Sequence, residues 1–521
     1  MNYGLLFRTL SHLKPQQVYY QIVRRISKPK YAQMSAPAQG VQLKQFVTEP
    51  IARPHSLDGE AFEFLNIRKS FSGWCDVSDG MLWAYNLNYF DYLNQAGINE
   101  AEGIRWIDEF INSLSANMIG LDPYPTALRL ENWIKFFCRY PEAASSRRLD
   151  SLYSQYIHLQ HSLEKHLLGN HLLEDYFSLY IASLFFSDEK YHKKTSNKLL
   201  SELSEEILPD GGHYEQSPMY HCILLDRLLD CINAKMTFGE LDSDMKSLKT
   251  FASRMLGYLE AICFSDGSYP LFNDSAIGIA PAPRELWDYA QRLGLEWDKK
   301  AALGASGYRK LSDGQIEAIV DVGEITATYQ PGHTHADVLN FEVHIGGTPF
   351  IVDSGISTYN KTARRQAERS TSAHNCITVG GRDCAEVWGG FRVAGRYRVQ
   401  SLDEVPGSSI FALVKCCGGE SYARRFSLAG GALCVEDSLV AGESGTEGVS
   451  RLHLAPEVSV LDVVESGDFT VVVTSAGKIT VRGARGVRVV ACEVSREYNS
   501  LLASSCIEMV FSEHLKYTIE R

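Results

Sequence analysis

The sequence predicts an α+β chain of several domains, with helical hairpins first and an antiparallel β domain after them. Three observations carry that class. The chain has 521 residues, more than one hydrophobic core usually supports. Of its 41 glycines, 16 fall in residues 1–300 and 25 in residues 301–521. Near Gly304 the apolar period changes from three-and-four spacing to short alternating runs, the switch from amphipathic helix to half-buried strand. The expected divisions are 1–56, a helix and connector; 57–304, the helical domain; and 305–521, the β domain.

The elements follow in order. Met1 to Ser27 mixes Arg8, Lys14, Arg24 and Arg25 among apolar residues. It reads either as a solvated helix or as one that docks on a membrane surface or a partner. It offers no uninterrupted apolar segment before a small-residue cleavage site, so no signal peptide is expected and the cytoplasm is the expected compartment, with the periplasm as the alternative. Pro29, Pro37, Pro50 and Pro54 make residues 28–56 an irregular connector. Leu152 to Leu168, Leu172 to Phe186, Lys198 to Ile207 and Cys222 to Ala234 space their apolar residues as helices that pack in hairpins. Ile316 to Val322, Val338 to Ile345, Thr348 to Val352, Phe469 to Thr474 and Val487 to Val494 read as strands. Gly346-Gly347 reads as a two-residue hairpin turn, because both central positions of a type I′ turn need positive φ.

Composition narrows the class. Hydrophobic and charged fractions of 45% and 22% are those of a packed globular protein. A formal charge of -12 argues against a generic nucleic-acid binder. No run of about 18 apolar residues marks a transmembrane segment. The 12 cysteines lack paired spacings, and Cys416 and Cys417 are adjacent, so reduced thiols are expected.

Four segments carry chemistry. In Pro331-Gly332-His333-Thr334-His335-Ala336-Asp337, an extended chain sends both imidazoles to one side. With Asp353 and His374, His335 makes a two-imidazole, one-carboxylate set suited to Zn²⁺, or else a cluster of mutually hydrogen-bonded polar groups. Asn170, His171 and Glu174 share one helix face; a capping Asn beside a surface His is the plainer account. Asp210 to His221 packs polar and aromatic groups before a helix, more densely than a plain connection needs. Arg129 and Trp133, four apart, would suit a sugar-stacking wall with a carboxylate-binding guanidinium, or a surface ion pair beside a core Trp.

These motifs, in this order, resemble the heparinase II/III-like polysaccharide lyases and the related alginate lyases. The likeness runs from about Trp83 into the β domain. It is most specific at Gly332-His333-x-His335-x-Asp337, Asp353-x-Gly355 and Arg369-Ser370-x-x-x-His374-Asn375. The resemblance implies an N-terminal (α/α) toroid of helical hairpins followed by a C-terminal antiparallel β-sandwich. It implies that His335, Asp353 and His374 hold a zinc ion with a mainly structural role. It implies that Asn170 and His171 meet a uronate carboxylate, that a tyrosine after the Asp-Gly-Gly turn transfers a proton, and that His333 and Tyr359 face the substrate. Tyr220 is preferred over Tyr214 for the proton transfer. Tyr214, Arg129, Trp133, Glu174 and Arg369 are then expected around the substrate.

The implied reaction is β-elimination on an acidic polysaccharide: a base removes the C5 proton of a uronate and the C4 oxygen leaves. The proton is a weak acid until donors neutralise the neighbouring carboxylate. A tyrosine, with an ordinary pKa of about 10, needs cationic help to act as base, for which His221 or an Arg is the expected source. The basic run Arg364, Arg365, Arg369, Arg392, Arg396 and Arg398 would attract an acidic glycan or merely pair with local acids. The competing readings are a uronyl C5-epimerase, which abstracts the same proton, and a non-catalytic glycan-binding or assembly protein of polysaccharide biosynthesis. A hydrolase using Glu174 and Glu215 lacks support from spacing.

Overall fold

The structure is a computed structural model that describes residues 3–27, 29–240, 242–441 and 445–521. Two short helices open the chain, α1 (Tyr3–Leu10) and α2 (Pro15–Ile26), and an extended stretch without helix leads to residue 56. A three-stranded antiparallel meander follows, Leu57–Asp58, Ala61–Phe64 and Ile67–Ser70, which the periodicity did not predict. Its strands are too short for a period to show. Tertiary contacts hold it: Phe62 packs edge-on against Trp106 and Phe64 against Trp83.

The helical part contains α3 (Met81–Tyr89), α4 (Glu100–Ser113), α5 (Pro123–Arg139), α6 (Ser146–Ser162), α7 (Gly169–Phe185), α8 (Glu189–Glu206), α9 (Pro218–Phe238), α10 (Ser243–Ile262) and α11 (Pro283–Arg292). Helices α3, α5, α7, α9 and α11 pack successively, while α4, α6, α8 and α10 lie outside them. This is the (α/α) toroid. Burial follows the two rings: α5, α7 and α9 are buried almost all round, as helices between two layers must be, whereas α8 and α10 keep a polar outer face. The expected Leu152–Leu168 helix stops at Ser162, and α7 starts only at Gly169, with Leu168 and Gly169 both at φ +62. Apolar spacing could not show that break, because Leu163, Leu167 and Leu168 in the turn continue the helical spacing.

Beyond Tyr308 the chain is antiparallel β. Ile316–Asp321 is buried on both faces between Tyr308–Ser312 and Phe341–Ile345. Gly346 and Gly347, at φ +60 and +76, make the hairpin to Thr348–Ile351. An eight-stranded sheet runs from Arg398–Val405 at one edge to Val460–Ser466 at the other, and a four-stranded sheet contains Gly486–Glu497 and Ser500–Phe511. Phe341, Phe426, Leu433, Ile507 and Tyr517 from these sheets share one core, giving the sandwich. Helix α12 (Ala363–Glu368) interrupts the β part and was not expected. All 12 cysteines are unpaired.

Candidate active site

The N-termini of the inner helices converge on one cleft of about 660 Å³. Leu82 and Tyr85 come from α3, Tyr124 from α5, Asn170 and His171 from α7, and Met219 and Tyr220 from α9. The β part closes the cleft with His333, Tyr359, Phe391 and Tyr498. Five of the expected residues thus meet in one place, although 163 positions separate Asn170 from His333. A second hollow of about 760 Å³ shares Leu65, Asn86, Asp91, Ile223, Arg227 and Ile279 with the cleft and continues it.

Backbone strain positions the polar groups. Leu168, Gln216 and Asn273 all have positive φ, and each stands within two residues of a site side chain: Asn170, Glu215 and Asp274. Such conformations cost about 1–3 kcal/mol each and persist where surrounding structure over-determines them. Gly169 is required as glycine, because a Cβ there would come within 2.5 Å of Glu215 Oε1. Asn170 Nδ2 donates to Glu215 Oε2 at 2.6 Å and lies 3.1 Å from His333 Nε2.

Asp274 is the hub. It accepts both Arg365 terminal nitrogens, at 2.5 and 2.7 Å, together with His333 Nδ1 at 2.9 Å and His335 Nε2 at 2.8 Å. Burial works to raise its pKa, but the Arg365 guanidinium and the two imidazoles hold the carboxyl well below the usual range. A charged Asp274 fixes the His333 proton on Nδ1 and leaves Nε2 as the face turned to Asn170. The Tyr220 ring lies 3.9 Å from the His333 ring, and its hydroxyl is 3.3 Å from that of Tyr359. Burial raises the pKa of both phenols, so both are protonated at neutral pH. Arg365 stands 4.9 Å over the Tyr359 ring.

His171 bonds Glu164 through Nδ1 at 2.8 Å. Burial opposes its cation, yet the Glu164 carboxylate outweighs that and raises its pKa. Arg227 also lines the cleft, beside Asp226, Glu131 and Glu174.

The remaining expectations need correction. Arg129 is fully buried and spends its guanidinium on Gln155 and on the carbonyls of Asn88 and Gly120, so it braces the wall and meets no ligand. Trp133 is equally buried, packed against Phe90 and Phe110. Glu174 lies beneath the floor with its pKa pushed up to about 8 by burial. Arg369 holds the Thr334 carbonyl from inside, steadying the loop of His333. Tyr214 is buried under Gly169 and does not line the cleft. His221 bonds the Met255 carbonyl, and burial lowers its pKa to about 3, so it lends Tyr220 no charge. The basic run disperses: Arg364 pairs with Glu368 and Glu493, and Arg398 with Glu324. Asp274 was missed altogether, and its one signal was the polar run Asn273-Asp274-Ser275 after an apolar pair.

The expected zinc ligands adjoin this hub. His374 Nδ1 bonds Asp353 Oδ2 at 2.7 Å, which also accepts from Asn340. His335 Nδ1, His374 Nε2 and both Asp337 oxygens are buried without a hydrogen-bond partner, and the two imidazoles are 5.2 Å apart. Unpartnered ring nitrogens on two imidazoles beside carboxylates suit a borderline metal in donor type. Among the described residues, however, no three such side chains converge as a ligand set.

A helical toroid meeting a β-sandwich over a cleft of tyrosines, histidines and an amide is the architecture of a polysaccharide-lyase fold. Residues 129–290 match the family description Heparinase II/III N-terminus and residues 298–515 match Heparinase II/III-like, C-terminal, and the chain belongs to the heparinase II/III family. It is 27% identical over 240 residues to a heparin-sulfate lyase of Pedobacter heparinus, a match that covers 40% of this chain and 36% of that enzyme. Among solved structures it resembles a heparinase III, with a TM-score of 0.66 and 15% identity over 83% of this chain and 75% of that one. It also resembles a heparan sulfate lyase from Pedobacter heparinus, with a TM-score of 0.57 and 15% identity over 97% of this chain and 87% of that one. At these identities the structural likeness speaks for the fold.

Proposed function

We propose that the protein is a polysaccharide lyase that cleaves a uronate-containing glycan by β-elimination. The single observation that carries this reading is the convergence of Asn170, Tyr220 and His333 on one cleft, with Asp274 behind the histidine. Neutralisation of the uronate carboxylate falls to the Asn170 amide and to His171, whose charge Glu164 supports. The inner-helix N-termini add the positive ends of their dipoles and favour an anionic chain despite the overall charge of -12.

Geometry assigns the base and burial assigns the acid. His333, with its proton drawn to Asp274, presents a free Nε2 electron pair once Asn170 turns to the substrate, and takes the C5 proton. Tyr220, kept protonated by burial, gives its proton to the departing C4 oxygen. Incubation with a panel of uronate polysaccharides tests this: the expected result is products carrying the ultraviolet absorbance of an unsaturated uronate. Turnover without that chromophore, with inversion at C5, would instead make the protein an epimerase. No turnover on any member would leave a binding protein.

Zinc belongs to the same reading. His335, His374 and Asp353 would hold it, with Asp353 released from its bond to His374, and the ion would tie three β-domain segments together. The expected result is about one zinc per chain by elemental analysis, with Tm falling by a few degrees on chelation. Absence of metal both as purified and after zinc reconstitution would remove this part.

A further inference from the structure

We propose that α1 and α2 dock the protein on an anionic membrane surface. Each helix is bolted to the body by one face. Arg8 makes two bonds to Glu386, at 2.8 and 2.6 Å, and Trp388 Nε1 donates to Thr9 Oγ1 at 3.0 Å. On α2 the buried Gln17 donates to the Leu167 carbonyl at 3.0 Å, and Arg24 bonds His166.

The free faces are apolar. Tyr3, Phe7 and Leu10 recur at helical spacing on α1 and are exposed, Phe7 by 73%. On α2 the exposed stripe is Val18, Ile22 and Ile26, the last by 81%, turned away from Gln17. Single exposed apolar residues are ordinary, but a stripe on two consecutive helices marks an interaction surface.

Charge selects the occupant. The first 48 residues contain Arg8, Lys14, Arg24, Arg25, Lys28, Lys30 and Lys44 and no Asp or Glu, so residues from Glu49 onward carry all 63 carboxylates. Arg25 and Lys30 are exposed, and among the described residues neither has a carboxylate partner. An apolar stripe flanked by cations, with an aromatic side chain on each helix, is the pattern of a helix lying in the lipid interface; a second copy of this chain, acidic overall, would not require that segregation. No helix among the described residues is long and apolar enough to cross a membrane, so the docking is superficial. Leu167, which anchors α2 through its carbonyl, also lines the catalytic cleft, and docking would hold that cleft beside the lipid surface. The inference stands whether or not the cleft is a lyase.

Co-sedimentation of the full chain with vesicles tests it, comparing phosphatidylcholine alone with an equal mixture of phosphatidylcholine and phosphatidylglycerol. The expected result is binding at least about tenfold tighter to the anionic vesicles and weakened by salt, since each cation near such a surface is worth about fivefold. Phe7→Ser/Ile22→Ser/Ile26→Ser should lose at least about tenfold through lost burial, and Arg25→Glu/Lys30→Glu a similar factor, both with unchanged Tm because all five side chains are exposed. Equal or absent binding to the two vesicle types would overturn the proposal, as would undiminished binding by both variants. A concentration-dependent dimer in solution that the triple variant abolishes would assign the stripe to a second copy and overturn it as well.

Discussion

Tyr220 and Tyr214 follow the same Asp-Gly-Gly turn, yet only Tyr220 reaches the cleft, where it lies against His333. Tyr220→Phe is therefore expected to lower kcat by about 10²- to 10⁴-fold, the usual worth of a positioned acid, with little change in Tm. Tyr214→Phe should keep near-normal turnover, and a near-normal rate in folded Tyr220→Phe would take that residue out of the chemistry. His171 sets a pH dependence. Its pKa is raised above 6.5, so the stability of its pair with Glu164 is complete below that value and fades as pH rises through the raised pKa. The Glu164 pKa is lowered: burial alone would raise it, but the His171 cation prevails, so its share is present above about 4.5 and is lost in acid. The stability gap between wild type and His171→Gln, followed by denaturation across pH, should be widest between about 4.5 and 6.5. With His171 about a third exposed, the gap should stay under about 1 kcal/mol. A gap independent of pH would mean that the pair contributes nothing.

At the scale of elements, the first turns of α7 and α9 place the chemistry. Ser217 caps α9 by accepting from the Tyr220 amide at 3.2 Å and donates to the Asp274 carbonyl at 2.7 Å. Ser217→Ala should cost about 1 kcal/mol of stability, as lost caps do, and should also lower kcat, because the cap joins the acid to the hub behind the base. Chemical denaturation and steady-state kinetics on one preparation check both. A stability loss with kcat intact would show a cap with no hold on Tyr220. Some elements were legible in their own residues: Phe469–Thr474 lies where alternation puts it, and the Gly346-Gly347 turn has the φ values its residues imply. The Leu57–Ser70 meander and α12 were not legible, since strands of two to four residues and a helix of under two turns show too little of their period and are held by what they pack against.

For the whole molecule, Asp274 joins the halves: a carboxylate from the helical side receives Arg365, His333 and His335 from the β side. Gln216 adds a second bridge, donating to the carbonyls of Ser306 and Glu324. Asp274→Asn would leave the buried Arg365 without its counter-charge. It should destabilise the protein by about 3–5 kcal/mol, the cost of breaking a buried pair, and abolish turnover through the misdirected His333 proton. Thermal unfolding with turnover of the surviving folded fraction measures both. Wild-type stability would show that the domains do not depend on this carboxylate.

By itself the sequence determined the order of architectures, four helical stretches of the toroid and five of the strands, because apolar period is a local property that each segment carries in its own residues. It also named the polar groups of the cleft, through motifs that Asn170, Tyr220, His333 and Tyr359 carry on their own segments. Only the tertiary structure decided which polar residues face the ligand. Arg129, Trp133, Glu174 and Arg369 have the chemistry of a binding site, but packing buries them beneath it, the first three on inner helices between two layers and Arg369 behind the Thr334 carbonyl in the β part. Asp274, with no motif around it, becomes the hub because three donors from a distant part of the chain close on one buried carboxylate. Burial and long-range charge pairing depend on where the whole chain goes, and no local spacing encodes them.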